Sequence, residues 1–90
     1  MRNRRVVITG LGAVAPNGIG KEAFWQALIE GRSGISRITR FDPSKYSSQV
    51  AGEVRDFDPA QFINKMEYRR MGRATQFAVA AARMALADAG

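Results

Sequence analysis

RRVVITGLGAVAPNGIG, residues 4 to 20, can be read in two ways, and the fold depends on which is right. Val6, Val7, Ile8 and Thr9 make a short β-branched run, the pattern of a strand buried on both faces. Arg2, Arg4 and Arg5 keep its front end in water. Gly10 and Gly12 follow, where the backbone can lie close against another segment. Pro16, Asn17 and Gly18 then predict a turn. Gly10-Leu11-Gly12-Ala13-Val14-Ala15 also matches the G-x-G-x-x-A pattern of a dinucleotide site, but the mechanics oppose that reading. In such a site the glycines open directly into a helix whose N-terminal amides hold the pyrophosphate. Here Pro16 stands where the first turns of that helix belong, and proline inside a helix costs about 3 kcal/mol. The acidic residue expected about 20 positions on would be Glu30, which sits inside the next helical pattern. A dinucleotide-binding α/β domain is therefore disfavoured.

Beyond the turn, Lys21 to Glu30 carries Phe24, Trp25, Leu28 and Ile29 at helical spacing, which predicts an amphipathic helix with Trp25 in the core. Gly31 is the natural residue to end it, with Arg32 near its negative end. Ser33-Gly34 and Phe41-Asp42-Pro43-Ser44 read as turns, and Ile35 to Thr39 as a weak edge segment. Ser48 to Val54 alternates around Val50, Gly52 and Val54, predicting a short surface strand with Glu53 facing outward. Asp58-Pro59 is a helix start, with Asp as N-cap and Pro in the first position. Asn64 interrupts that turn. From Met66 or Met71 onward a long helix is predicted, and Ala74 to Ala89 leaves it hardly any polar face, so it is expected to be buried.

The composition is that of a globular protein, with 46% hydrophobic and 24% charged residues over 90 positions. A domain of this size buries only about 60 to 65% of its unfolded surface. One buried-type strand and one apolar helix cannot cover each other here, so the chain reads as an incomplete α/β domain, the N-terminal portion of something larger. Cys and His are both absent, which removes thiolate nucleophiles, thiolate metal sites and the commonest general base. No catalytic, metal or cofactor-binding residue is assigned. The longest late apolar run, Phe77 to Ala82, is six residues against the roughly 20 needed to span a bilayer. No leader pattern is seen, and a cytoplasmic protein without membrane attachment is expected.

The net charge of +6 points to an acidic partner. Lys65, Arg69, Arg70 and Arg73 place four cations within nine residues, opposed only by Glu67. On one continuous helix Lys65, Arg69 and Arg73 would share a face, with Arg70 flanking it. The bland alternative is a solvated helix start. Nucleic-acid binding is not expected, because no stacking aromatics or recognised binding pattern accompany the charges. An acidic protein surface fits a patch of this size better.

Taken together, these residues resemble the N-terminal segment of the elongating β-ketoacyl-acyl carrier protein synthases, condensing enzymes of the thiolase-like superfamily (KAS II-like). The resemblance covers the whole chain. It rests on Val6-Val7-Ile8-Thr9-Gly10-Leu11-Gly12 with Pro16 and Gly18, then Trp25, Leu28, Gly31, Ser33, Gly34 and Ile35. Phe41-Asp42, Ala51-Gly52 with Val54, Asp56-Phe57, Arg70-Met71 and Asp88-Ala89-Gly90 continue it in order. It implies the first strand, first helix, a surface excursion and the start of the next core helix of a five-layered αβαβα fold, in an enzyme that is a homodimer. It also implies a decarboxylating Claisen condensation in fatty-acid or polyketide chain elongation. There a cysteine carries the acyl chain and two histidines assist; the segment read here would supply scaffold and no catalysis. Basic residues at the start of this family's helix meet the acidic acyl carrier protein, and Lys65, Arg69 and Arg70 match those positions. Met66, Gly72 and Ala15 depart from the family pattern, where a base, an aspartate and a hydroxyl residue are common. A free-standing carrier-binding module built from the same segment is the second reading.

Overall fold

The computed structural model describes residues 3–90, so Arg2 lies outside the described residues. Its elements are β1 (Val14–Ala15), β2 (Gly18–Ile19), α1 (Lys21–Glu30), β3 (Ile35–Arg37) and β4 (Val50–Gly52). A 3-10 turn (Pro59–Gln61), α2 (Lys65–Tyr68) and α3 (Arg73–Ala89) complete the order. Pro16 and Asn17 form the expected turn, closing β1 on β2 with Val14 opposite Ile19 and Ala15 opposite Gly18. The Gly20 amide donates to the Ala13 carbonyl at 2.8 Å, and only then does α1 begin. The glycines of residues 10–12 therefore lead into a hairpin and not into a helix, which removes the phosphate cradle of a dinucleotide site. Those glycines serve close packing. A side-chain carbon on Gly10 would fall 2.8 Å from the Ala89 nitrogen, and one on Gly12 would fall 2.9 Å from the Ala85 nitrogen.

Residues 3–13 form no strand, and Val6, Val7 and Ile8 are 92%, 69% and 82% exposed. The expected buried strand is thus not formed within this chain. A strand needs a neighbour to take its backbone hydrogen bonds, and among the described residues β1 pairs only with β2 and β3 only with β4. Trp25 departs from expectation for the same reason. It is 62% exposed, and it lines an open apolar groove of about 550 Å³ with Leu11, Phe24 and Leu28. Of α1 only Ala27 is buried. Gly31 ends the helix as predicted, in the left-handed conformation at φ 70°, its amide reaching the carbonyls of the last turn.

The excursion from residue 33 to 54 is organised by the antiparallel pair β3 and β4, with Ile35 opposite Gly52 and Arg37 opposite Val50. Two expectations fail here. Ala51, not Val50 or Gly52, turns to the covered side. Glu53 faces inward: its side chain is 8% exposed and accepts hydrogen bonds from Thr39 N and Oγ1, Arg40 N and Arg55 Nη2. These donors hold its carboxyl below the usual range, the Thr39 hydroxyl first, although desolvation pulls the other way. The strand has one covered face as expected, but Glu53 lies on the covered side, because the donors of Thr39 and Arg40 turn to it.

The best-packed region follows. Asp58 caps the 3-10 turn as predicted, accepting from the Ala60 amide at 3.0 Å. Phe57 and Ile63 are buried, Phe57 stacks parallel to Phe62 at 5.9 Å, and it meets Phe77 edge-on at 5.0 Å. Ala80 of α3 is fully buried, yet Leu86 is 73% exposed, so the expectation of a helix buried all round is corrected. The Cα radius of gyration is 16.5 Å, against about 12 Å for a compact domain of this length. The arrangement is a mixed helix and strand unit whose apolar faces are only partly covered.

A candidate docking site on the second helix

Asn64 begins the site. Its side chain accepts from the Met66 amide at 2.9 Å, capping α2, so the interruption read at Asn64 is a helix start. Arg69 continues in helical conformation, its amide reaching the Lys65 carbonyl at 3.3 Å, and the Arg70 amide reaches Glu67 at 3.1 Å. Lys65 and Arg69 thereby share one face, with Arg70 beside it. The helix then stops. Gly72 is extended at φ −68°, ψ 164° and starts α3 afresh, so of the two starts read from sequence for the long helix, Met66 and Met71, the structure comes nearer the second. Glycine is a poor helix residue and tolerates such a break.

The break separates Arg73 from the other cations. Its guanidinium donates to the Val54 carbonyl at 2.9 Å and lies over the Phe57 and Phe77 rings at 5.4 and 5.0 Å. Its Nε is buried without a hydrogen-bond partner. Arg73 thus ties the strand exit to the first turn of α3 by hydrogen bonding and cation–π contact. Lys65, Arg69 and Arg70 are exposed and form no ion pair among the described residues. Met66, 76% exposed, adds apolar surface between them.

Two further residues hold this turn, and sequence reading passed over both. Gln76 donates to the Tyr68 carbonyl at 3.1 Å and the Met71 carbonyl at 3.4 Å, satisfying the end of α2 from α3. Arg83 donates to the Phe62 carbonyl and sits 3.7 Å from Glu67. Arg73, Gln76, Ala80 and Arg83 recur at three- and four-residue steps, one stripe of the helix. α3 is alanine-rich, and of its few polar residues Gln76 and Arg83 bond to α2 and to Phe62 ahead of it, while Asp88 bonds to Leu11 and Lys21. The chain has no Cys or His, so the site holds no thiolate and no imidazole. Among the described residues no group of three or more His, Cys, Asp or Glu could hold a metal ion. Among the described residues no helix is long and apolar enough to cross a membrane.

At the opposite end of α3, Asp88 accepts from the Leu11 amide at 3.0 Å and from Lys21 Nζ at 2.5 Å. Lys21 holds the Asp88 carboxyl below its ordinary value, helped by the Leu11 amide, and Asp88 in turn raises Lys21.

Residues 3–90 match the family described as "Beta-ketoacyl synthase, N-terminal domain", and the chain belongs to that family. Among its relatives, 3-oxoacyl-(acyl-carrier-protein) synthase 2 of Coxiella burnetii is 50% identical over 90 residues, which are all of this chain and 22% of that protein. The same-named protein of Synechocystis is 48% identical over 89 residues, 99% of this chain and 21% of its own length. The actinorhodin polyketide putative beta-ketoacyl synthase 1 of Streptomyces coelicolor is 56% identical over 88 residues, 97% of this chain and 19% of that protein. A solved structure titled the ishigamide ketosynthase/chain length factor superposes with a TM-score of 0.89 at 48% identity, covering 99% of this chain and 22% of that one. The chain spans about a fifth of the length of the curated relatives it matches.

Proposed function

We propose that this chain is the N-terminal part of a β-ketoacyl-acyl carrier protein synthase. The longer protein would be a homodimeric, cytoplasmic acyltransferase of five-layered αβαβα fold, elongating an acyl thioester by decarboxylative condensation with malonyl-carrier. The chain's share is scaffold and carrier docking. Its lack of Cys and His assigns the thiol and imidazole chemistry to other parts of such a protein. The observation that carries the docking reading is the trio Lys65, Arg69 and Arg70, solvent-facing and uncompensated on a turn that α3 holds in place. Such a patch steers and orients an acidic protein surface. Arg73 occupies an aromatic slot instead, so docking is assigned to the other three. Polyketide and fatty-acid relatives both support the condensing chemistry, and the trio is indifferent to which chain the carrier bears.

The test is titration of an acyl carrier protein at rising salt. Salt-sensitive binding that falls at least tenfold in the variant carrying Arg69→Glu and Arg70→Glu is expected. Unchanged affinity in that variant would falsify the docking role.

A further inference from the structure

Glu67 is the anomaly of the basic patch. It lies two residues after Lys65 and two before Arg69, where a carboxylate opposes any acidic partner. The structure gives it a counter-charge from another element: Arg83 Nη2 stands 3.7 Å from Glu67 Oε2, while Arg83 Nη1 donates to the Phe62 carbonyl just ahead of α2. Both side chains stay half exposed, at 50% and 56%. An ion pair that open contributes little to stability, so it is the bond to Phe62, not the pair with Glu67, by which Arg83 ties α3 to this turn. The pair's effect on the local field is different. With Arg83 in place, the three free cations act undiminished; without it, Glu67 cancels one of them within a Debye length of about 8 Å.

We propose that Arg83 is a specificity-determining residue of the docking surface, masking Glu67 so that an acidic protein meets an uninterrupted +3 patch. This deepens the carrier-docking reading and rests on it. The local charge is +3 in the wild-type chain, counting Lys65, Arg69, Arg70 and Arg83 against Glu67. It becomes +2 in Arg83→Gln, +4 in Glu67→Gln, and +3 again in the double variant.

The experiment measures association rates of an acyl carrier protein with the four proteins of this cycle and with Arg83→Lys, at low and high salt. One unit charge at about 8 Å in water changes the low-salt rate about two- to threefold. The expected order is Glu67→Gln fastest, wild type, Arg83→Lys and the double variant together, and Arg83→Gln slowest, with the spread closing at high salt. A double variant as slow as Arg83→Gln at every salt concentration overturns the proposal and makes Arg83 a purely structural tie, as does a rate that is the same in all five. Loss of binding on reversing Arg69 and Arg70, with no trend in the cycle, rejects the masking while keeping the dock. No binding response in either set rejects both.

Discussion

The two ends of this chain carry similar apolar content and meet different fates. Residues 6–8 present Val, Val and Ile to solvent, each at least 69% exposed, whereas Phe57 packs against both Phe62 and Phe77 and shares the Arg73 guanidinium with Phe77. The difference is the distance to a partner. Phe57 and Phe62 are five residues apart, and Phe57 meets Arg73 and Phe77 in the first two turns of α3, so the cluster is complete within the chain. A β-branched run needs a neighbouring strand to take its backbone bonds, and among the described residues no strand offers one. Apolar sequence therefore reports what a segment requires, and only the rest of the fold reports whether it is met.

The contrast can be broken from either side. The largest effect is expected from Phe57→Ala, which empties the centre of the aromatic cluster and strips one face from Arg73; a loss of about 3 kcal/mol should appear in urea unfolding followed by circular dichroism. Next is Gly12→Val, whose side chain collides with the α3 backbone; about 1–3 kcal/mol should be lost and residues 10–13 should lift from α3, seen as faster amide exchange at Leu11. Smaller is the clasp of Asp88 with Lys21. The lowered Asp88 value means its contribution is present above the ordinary carboxylate range and is lost as pH falls through the lowered value. The raised Lys21 value means its contribution is present below about pH 10.4 and is lost as pH rises past it. Melting temperatures of the wild type and Asp88→Asn should differ near pH 7 and converge only as pH falls through the lowered Asp88 value; a constant gap would deny the clasp. The smallest effect belongs to Val7→Ser, within about 0.5 kcal/mol on this chain. A larger loss there would show that the front segment is packed after all.

Local chemistry was legible in the sequence. The turn at Pro16, the start of α1 at Lys21, the left-handed Gly31 and the Asp58 cap all depend on residues within a few positions of one another. Long-range partners were not. Glu53 reads as a solvated strand residue until Thr39 and Arg40, more than twelve positions earlier, aim their donors at it. The candidate site divides on the same line. Lys65, Arg69 and Arg70 were legible as a helix-face pattern, and they do stand free at the surface. Arg73 carries the same charge at the same spacing, but the extended Gly72 turns it to the aromatic rings instead. Arg83 escaped notice because its partner Glu67 sits sixteen positions back, beyond any helical spacing.

Gly10 and Gly12 lie on the backbone of the last turns of α3, and the Leu11 amide bonds to Asp88 across 77 positions. That contact sets a timetable for biosynthesis. At about 5–20 residues per second, some 4–15 s separate the synthesis of Leu11 from that of Asp88, and residues 10–12 wait that long for the helix they pack on. So distant a contact closes late, because the whole intervening chain must be in place before it can form.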